Sequence, residues 1–237
     1  MIATIINCAT VLVGSFLGLL FNKRVNDRFK EVIYTGIGVF TLVIGLMMAL
    51  ETTRILFVGL SVVVGGLLGS WWGVERGILK IGERLQDRFG GKEKEGATFA
   101  LGYLNASVLF CVGAMTIVGS FRAGAEGNYD LILTKSVMDG FMAVLLSAAM
   151  GLGVAFSALT ILVYQGGLTL LAGLIAPYVS ELVLSELSGT GGILIMMIGL
   201  NLLKLKQIKT GDFLPALAVI LAFTLLEPVF LSLLGLS

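Results

Sequence analysis

SVMDGFMAVLLSAAMGLGVAFSALTILVYQGGLTLLAGLIAPYVS, from Ser136 to Ser180, runs for 45 residues with Asp139 as its only charge. An α-helix rises about 1.5 Å per residue, and a hydrocarbon core about 30 Å thick takes about 20 residues. The stretch is too long for one crossing and fits two membrane helices joined by a tight turn near Gly151–Ser157. The rest of the chain has the same character. Of 237 residues, 57% are hydrophobic and 13% charged, about half the charged fraction of a soluble domain. With a mean hydropathy of +1.01, the soluble, disordered and secreted disulfide-rich classes are excluded, and lipid is the solvent for most of the surface.

Other spans follow on either side. Ile2–Phe21 is uncharged, Tyr34–Leu50 is short, Ile55–Val74 is full length and Ala97–Phe121 is the fourth. After the central pair come Gly189–Leu203 and Phe213–Leu226. The expectation is an all-α polytopic membrane protein of about eight helices, or seven if the short seventh does not cross. With the N-terminus outside, the inner segments after spans one, three, five and seven hold four, six, zero and three Lys/Arg. The outer segments after spans two, four and six hold one, two and zero. That asymmetry obeys the positive-inside rule and places both termini outside a prokaryotic cytoplasmic membrane. Because no basic residue precedes the first span and Lys23-Arg24 follow it, that span reads as uncleaved.

Three amphipathic segments are expected on the membrane surface: a basic one at Val25–Ile33, a second carrying Ile78, Leu85 and Phe89, and an acidic one at Tyr178–Leu187.

A shift of 154 residues lays Thr10–Leu46 on Tyr164–Leu200 with seven identities in 37. Both windows run long span, amphipathic segment, then a short span containing Ile-Gly-Leu, and Ile55–Val74 falls on the last span. The Lys/Arg bias of equivalent loops is opposite, which means opposite orientation in the membrane. The expected organisation is a first repeat (1–96), a central pair of spans (97–156) and an inverted second repeat (157–237). Gly14 with Gly18, and Gly65, Gly69 and Gly73, are expected helix-packing positions.

The absence of His removes Ser-His triads, His-based zinc sites and imidazole proton relays. No paired-aspartate protease motif and no GxxxxGK[ST] loop is present, so neither an enzyme nor an ATPase is expected, and no cofactor or metal site. Cys8 and Cys111 read as buried thiols rather than a bridge, and Cys111 with Met115 makes too small a ligand set for Cu(I). A net charge of +1 offers no basic field for nucleic acid.

Polar groups inside hydrocarbon are expensive and mark pathways. The candidate solute- or ion-binding residues are Asn105, Met115, Thr116 and Ser120 in span four, Lys135 and Asp139 opening span five, Ser157 and Gln165 in span six, and Asn201 after the repeated Ile-Gly-Leu. Asp139 is the one carboxylate well inside an apolar segment. Lys135 sits four residues earlier on the same face, so a cation site and an ion pair at the headgroup edge both fit.

The run Phe110-Cys-Val-Gly-Ala-Met-Thr-Ile-Val-Gly-Ser120, then Lys135-Ser136, Asp139-Gly140, Phe156-Ser157 and Tyr164-Gln165-Gly166, resembles the YdfK/YqgA-like family of prokaryotic multi-pass membrane proteins, domain of unknown function 554. Gly199-Leu-Asn-Leu-Leu203 and Leu214-Pro215-Ala216-Leu217 share the resemblance, which covers the whole chain. It implies a multi-pass inner-membrane protein and carries over no substrate and no catalytic residue.

The functional expectation is a secondary transporter or ion-conducting protein for a small solute or ion, with the site between inverted repeats. The alternative is a membrane scaffold or regulatory subunit acting through helix packing. Expected partners are the lipid bilayer, the solute or ion and, as an open option, further copies of the chain.

Overall fold

The computed structural model describes residues 1–22, 27–89, 96–175 and 180–233. Ten helices are described: α1 (Ile2–Asn22), α2 (Asp27–Ala49), α3 (Ile55–Trp72), α4 (Val74–Phe89), α5 (Gly96–Cys111), α6 (Ala114–Phe121), α7 (Asp130–Met150), α8 (Ser157–Ile175), α9 (Glu181–Leu202) and α10 (Ala216–Leu233). No strand occurs among the described residues. Among the described residues six stretches are long and apolar enough to cross a membrane: Ile2–Phe21, Glu31–Ala49, Ile55–Trp72, Asp130–Leu174, Glu181–Leu202 and Thr210–Glu227. A bent pair, Phe99–Cys111 with Met115–Glu126, makes a seventh. Their outer faces are apolar and uncovered, as at Leu56 (78% exposed), Trp71 (79%) and Leu174 (74%). Such faces suit lipid and no aqueous solvent.

The long stretch Asp130–Leu174 holds α7, a 3-10 turn at Gly151–Phe156, and α8. α7 ends at Gly151, whose φ of +78° and ψ of −153° favour glycine. Contacts with α1 fix the direction of each half. Gly14 lies on Gly140 and Gly18 on Val144, so α1 and α7 are parallel. Gln165 bonds Thr4 and Ala158 bonds Cys8, so α1 and α8 are antiparallel. The stretch is therefore folded back on itself at the turn.

Close approach of helices is set by residues without side chains. A Cβ on Gly14 would run into the Gly140 carbonyl oxygen, and one on Gly18 into that of Val144. Gly65 abuts Ala216, and Gly69 abuts the Asp212 backbone, which joins α3 to the segment leading into α10. Gly73 has another place: it ends α3 at φ +66° with its N–H directed at the Gly69 and Ser70 carbonyls. α2 runs along α9. A Cβ on Gly45 would lie 2.7 Å from the Gly192 carbonyl oxygen, and one on Gly199 would lie 3.0 Å from that of Gly38.

Three expectations from the sequence need correction. The fourth span is not one helix: α5 and α6 meet at 56°, and Gly113 between them is extended (φ −69°, ψ 146°). The described part of the basic segment, from Asp27 on, continues into α2 without a break; residues 23–26 lie outside the described residues. The acidic segment is likewise no separate surface helix. Ser180 caps α9 by accepting from the Val183 N–H at 3.2 Å, and the helix then runs unbroken to Leu202 with Glu186 fully buried. α4, carrying Ile78 and Leu85, is a separate amphipathic helix packed on α5, as the pattern suggested. Tyr178 and residues 90–95 lie outside the described residues.

Candidate functional site

α1, α7 and α8 meet in a buried polar cluster. α7 contributes Lys135 and Asp139, 5% and 7% exposed, and α1 and α8 contribute Asn7 and Gln165, both fully buried. The Lys135 ammonium bonds Asp139 Oδ2. Asn7 Nδ2 donates to the same oxygen at 3.0 Å and to Gln165 Oε1 at 2.9 Å, and Gln165 Nε2 donates to Thr4 Oγ1 at 3.2 Å. Asp139 is nine residues into α7, about 14 Å from its start, and both members of the pair are enclosed by neighbouring helices. The ion pair is therefore inside the bundle.

Two acceptors in this cluster are unused. Asn7 Oδ1 is buried without a partner, and Asp139 Oδ1 has no hydrogen bond among the described residues. For the enclosed Asn7 Oδ1 an unmet hydrogen bond costs about 1–3 kcal/mol. Asp139 and Lys135 also border a cleft of about 460 Å³ between α2, α7, α9 and the α5–α6 break. Its walls are thioether, aromatic and aliphatic: Met47, Met48, Met115, Met138 and Met142 line it with Phe40 and Phe110. Its other polar groups are Glu51 and Ser188, and the Ser188 hydroxyl is fully buried without a partner.

A second cleft, of about 420 Å³, is bordered by Tyr34 of α2, Asn105 of α5, Met150 of α7 and Asn201 of α9, with Glu75, Lys204 and Lys209 nearby. It uses the same four helices from the other end. The nearest lining residues of the two clefts are Asn105 and Leu109 on α5, Met142 and Met150 on α7, and Ile195 and Asn201 on α9. At about 1.5 Å per residue these are about 6, 12 and 9 Å apart. Leu146 and Ile198, both 1% exposed, fall in that interval.

The remaining sequence-predicted residues sit elsewhere. Thr116 donates to the Phe110 carbonyl across the break, Ser120 to Thr116, and Ser157 to Val154 at 2.7 Å. Asn201 holds the loop after α9, donating to the Ile208 carbonyl at 2.8 Å and accepting from its N–H at 2.7 Å. Asn105 lines the second cleft beside Met150, its Nδ2 3.9 Å from the Met150 sulfur. Lys135, Asp139 and Gln165 thus come together, Met115 joins Lys135 and Asp139 at the cleft, and Asn105 and Asn201 border the opposite cleft. Among the described residues no three His, Cys, Asp or Glu side chains group to hold a metal, and both cysteines are free.

Sequence reasoning missed Asn7, although it is the one side-chain amide in the uncharged span Ile2–Phe21. It also missed Glu186, whose four hydrogen bonds come from the Thr52 hydroxyl, the Thr53 N–H and hydroxyl, and the Arg54 N–H. The convergence of five methionines had no signal beyond the i,i+4 spacing of Met138 and Met142.

The family described as "Protein of unknown function (DUF554)" matches residues 2–225. The chain is 29% identical over 224 residues to "Uncharacterized membrane protein YdfK" of Bacillus subtilis (strain 168), covering 92% of this chain and 93% of that protein. It is 28% identical over 218 residues to "Uncharacterized protein YqgA" of Escherichia coli (strain K12), covering 91% and 93%. No solved structure matches.

Proposed function

The chain belongs to the DUF554 family of proteins of unknown function, and from the geometry inside this integral membrane protein we infer that it is a secondary transporter or ion-conducting protein for a small solute or ion. The observation that carries this reading is the pair of clefts entering the same four helices from opposite ends, one to two helical turns apart, with a buried ion pair beside one of them. A packing scaffold has no use for unmet acceptors and water-sized space on both sides of a thin apolar plug.

The inverted repeat supports the same reading. Counting α7 and α8 separately and the bent α5–α6 pair once gives eight spans, the number the Lys/Arg asymmetry asks for. The 154-residue shift carries Gly38 and Gly45 of α2 onto Gly192 and Gly199 of α9. It therefore maps the Gly45–Gly192 contact onto the Gly38–Gly199 contact, and both are observed. α1 with α8 and α3 with α10 are likewise equivalent helices that pack on each other. A two-fold axis in the membrane plane produces such self-pairing. Loop contacts agree on sidedness: Glu75 at the start of α4 bonds Gly211 after α9, and Thr52–Arg54 after α2 bond Glu186 in α9. The Lys204–Lys209 end is then cytoplasmic and the Glu51–Glu186 end external, with both termini outside, in a prokaryotic cytoplasmic membrane.

On this reading the protein does no covalent chemistry, binds no nucleic acid and draws on an ion gradient. Purified protein in proteoliposomes, screened with labelled cations, amino acids and small organic anions under sodium and proton gradients, should accumulate a solute or carry current. A panel with no protein-dependent flux or current would overturn the reading in favour of the scaffold.

A further inference from the structure

The fixed charges of the external cleft constrain what can enter it. Lys135 and Asp139 neutralise each other in a low-dielectric wall. A simple cation that took Asp139 would strand the Lys135 ammonium, and a simple anion that took Lys135 would strand the Asp139 carboxylate. Either replacement leaves a buried charge without a partner, which is costly. A ligand that carries both signs on neighbouring atoms can insert between the two and leave neither alone.

Other groups at the cleft divide in the same way. Donors at the cleft are the Lys135 ammonium of α7 and the first amides of α6, where Gly113 and Met115 line the wall and the Gly113 cap supplies no side-chain acceptor; helix amides at this end favour negative charge. Ser188, whose fully buried hydroxyl no protein group engages, is among the residues that line the cleft. Acceptors are Asp139 Oδ1, which has no hydrogen bond among the described residues, and Glu51. The remaining wall is Met47, Met138, Met142, Phe110 and Ile195, soft and adaptable surface suited to an aliphatic or aromatic body.

We propose that this cleft binds a zwitterionic α-amino acid with an apolar side chain. Its ammonium takes Asp139, its carboxylate takes Lys135 and the α6 amides with help from Ser188, and its side chain lies against the methionines. The proposal rests on reading this cleft as a solute site and names the class of solute. Because the test reads binding rather than flux, the two claims fail separately. Saturable amino-acid binding without transport would remove only the transporter reading. Flux of another solute without amino-acid binding would remove only this proposal.

The experiment uses full-length protein in nanodiscs and tritiated L-leucine, with two fragments as competitors. These are 4-methylpentanoate, which lacks the amino group, and 3-methylbutan-1-amine, which lacks the carboxylate. L-Leucine should bind saturably and compete at concentrations at least about tenfold below either fragment and below glycine, since each fragment strands one charge. Ser188→Ala removes a hydroxyl with no protein partner, so it should leave melting unchanged and weaken L-leucine about threefold or more through its lost hydrogen bond. Asp139→Asn should abolish the advantage of L-leucine over 4-methylpentanoate. No saturable L-leucine binding to the wild type would overturn the proposal. So would an amine fragment binding as tightly as L-leucine, which marks a plain cation site, or an acid fragment doing so, which marks a plain anion site. Unchanged L-leucine affinity in Ser188→Ala would overturn the assigned carboxylate position.

Discussion

Asp139 and Glu186 are both buried carboxylates in apolar helices, and they are built to opposite ends. Glu186 is fully enclosed, and its two oxygens accept from the side chains and amides of Thr52, Thr53 and Arg54. It ties the loop after α2 to α9 and supplies the acceptor that the start of α3 lacks, since Arg54 offers no side-chain cap. Asp139 takes Lys135 and Asn7 on one oxygen and leaves the other at the wall of a cleft. Burial alone separates neither role from the other. What separates them is how many lone pairs the fold itself uses and whether the remainder meets open space.

The contrast is broken most severely at Glu186. Glu186→Ala leaves the Thr53 and Arg54 amides without their acceptor, at about 1–3 kcal/mol each. It should lower the melting temperature in detergent more than any other change considered, and Glu186→Gln, which keeps one acceptor, should recover part of the loss. A Glu186→Ala protein that melts like the wild type would remove the structural role.

Asp139→Asn comes next. It strands the Lys135 ammonium and should cost about 2–4 kcal/mol, near the lower end for a broken buried pair because the cleft admits water. Adding Lys135→Gln should restore most of that stability without restoring transport. Measured together, melting and flux divide the two properties: rescue of both by the double variant would reduce the pair to a structural ion pair.

Smaller effects test the repeat. Gly45 and Gly199 lie on the α2–α9 seam at positions that the proposed repeat makes equivalent, and changing either to Ala should destabilise by about 1–3 kcal/mol through overpacking. Gly36→Ala, which would meet nothing within 4 Å, should be neutral or slightly stabilising. Unequal effects at Gly45 and Gly199 would break the two-fold equivalence.

The smallest expected effect is a slope with pH. At the end of the bundle that carries Lys204 and Lys209, Glu75 accepts from the Gly211 N–H at 2.9 Å while its own N–H donates to Asp212 Oδ1 at 2.9 Å. Burial pushes the Glu75 carboxyl up, the Gly211 bond pulls it part of the way back, and the Asp212 carboxylate adds a further push upward. The folded state therefore holds this proton to higher pH than the unfolded chain does. Its contribution is present below the ordinary carboxylate range and is lost as pH rises through the raised value. Melting temperature measured from acid to neutral pH should fall less steeply in Glu75→Gln than in the wild type, and an identical slope would refute the assignment.

The outline of the fold was legible wherever charge is absent. Ile2–Phe21 shows its bounds because no charge falls within it, and Gly151 signals the turn because 45 residues are too many for one crossing. The acidic segment misled because Glu181 and Glu186 at helical spacing look like a wetted face. The partners that bury Glu186 are more than 130 residues away, where no local pattern points to them. Lys135 and Asp139 could be paired from their spacing, but not placed in a buried cluster, since that depends on α1 supplying Asn7 from more than 120 residues away. The break at Gly113 was hidden for a related reason: the residues around it are apolar enough to continue a helix, and only packing reveals the 56° bend.

The central claim is that the two clefts are halves of one interrupted path. Single cysteines at Met142 and at Asn105, both buried residues that line a cleft, can be placed in a Cys8→Ser, Cys111→Ser background and treated in sealed vesicles with a membrane-impermeant thiol reagent, which reacts only where water reaches. Labelling of Met142→Cys from the external side alone and of Asn105→Cys from the cytoplasmic side alone is the expected result. Labelling of both from one side, or of neither from any side, would contradict it.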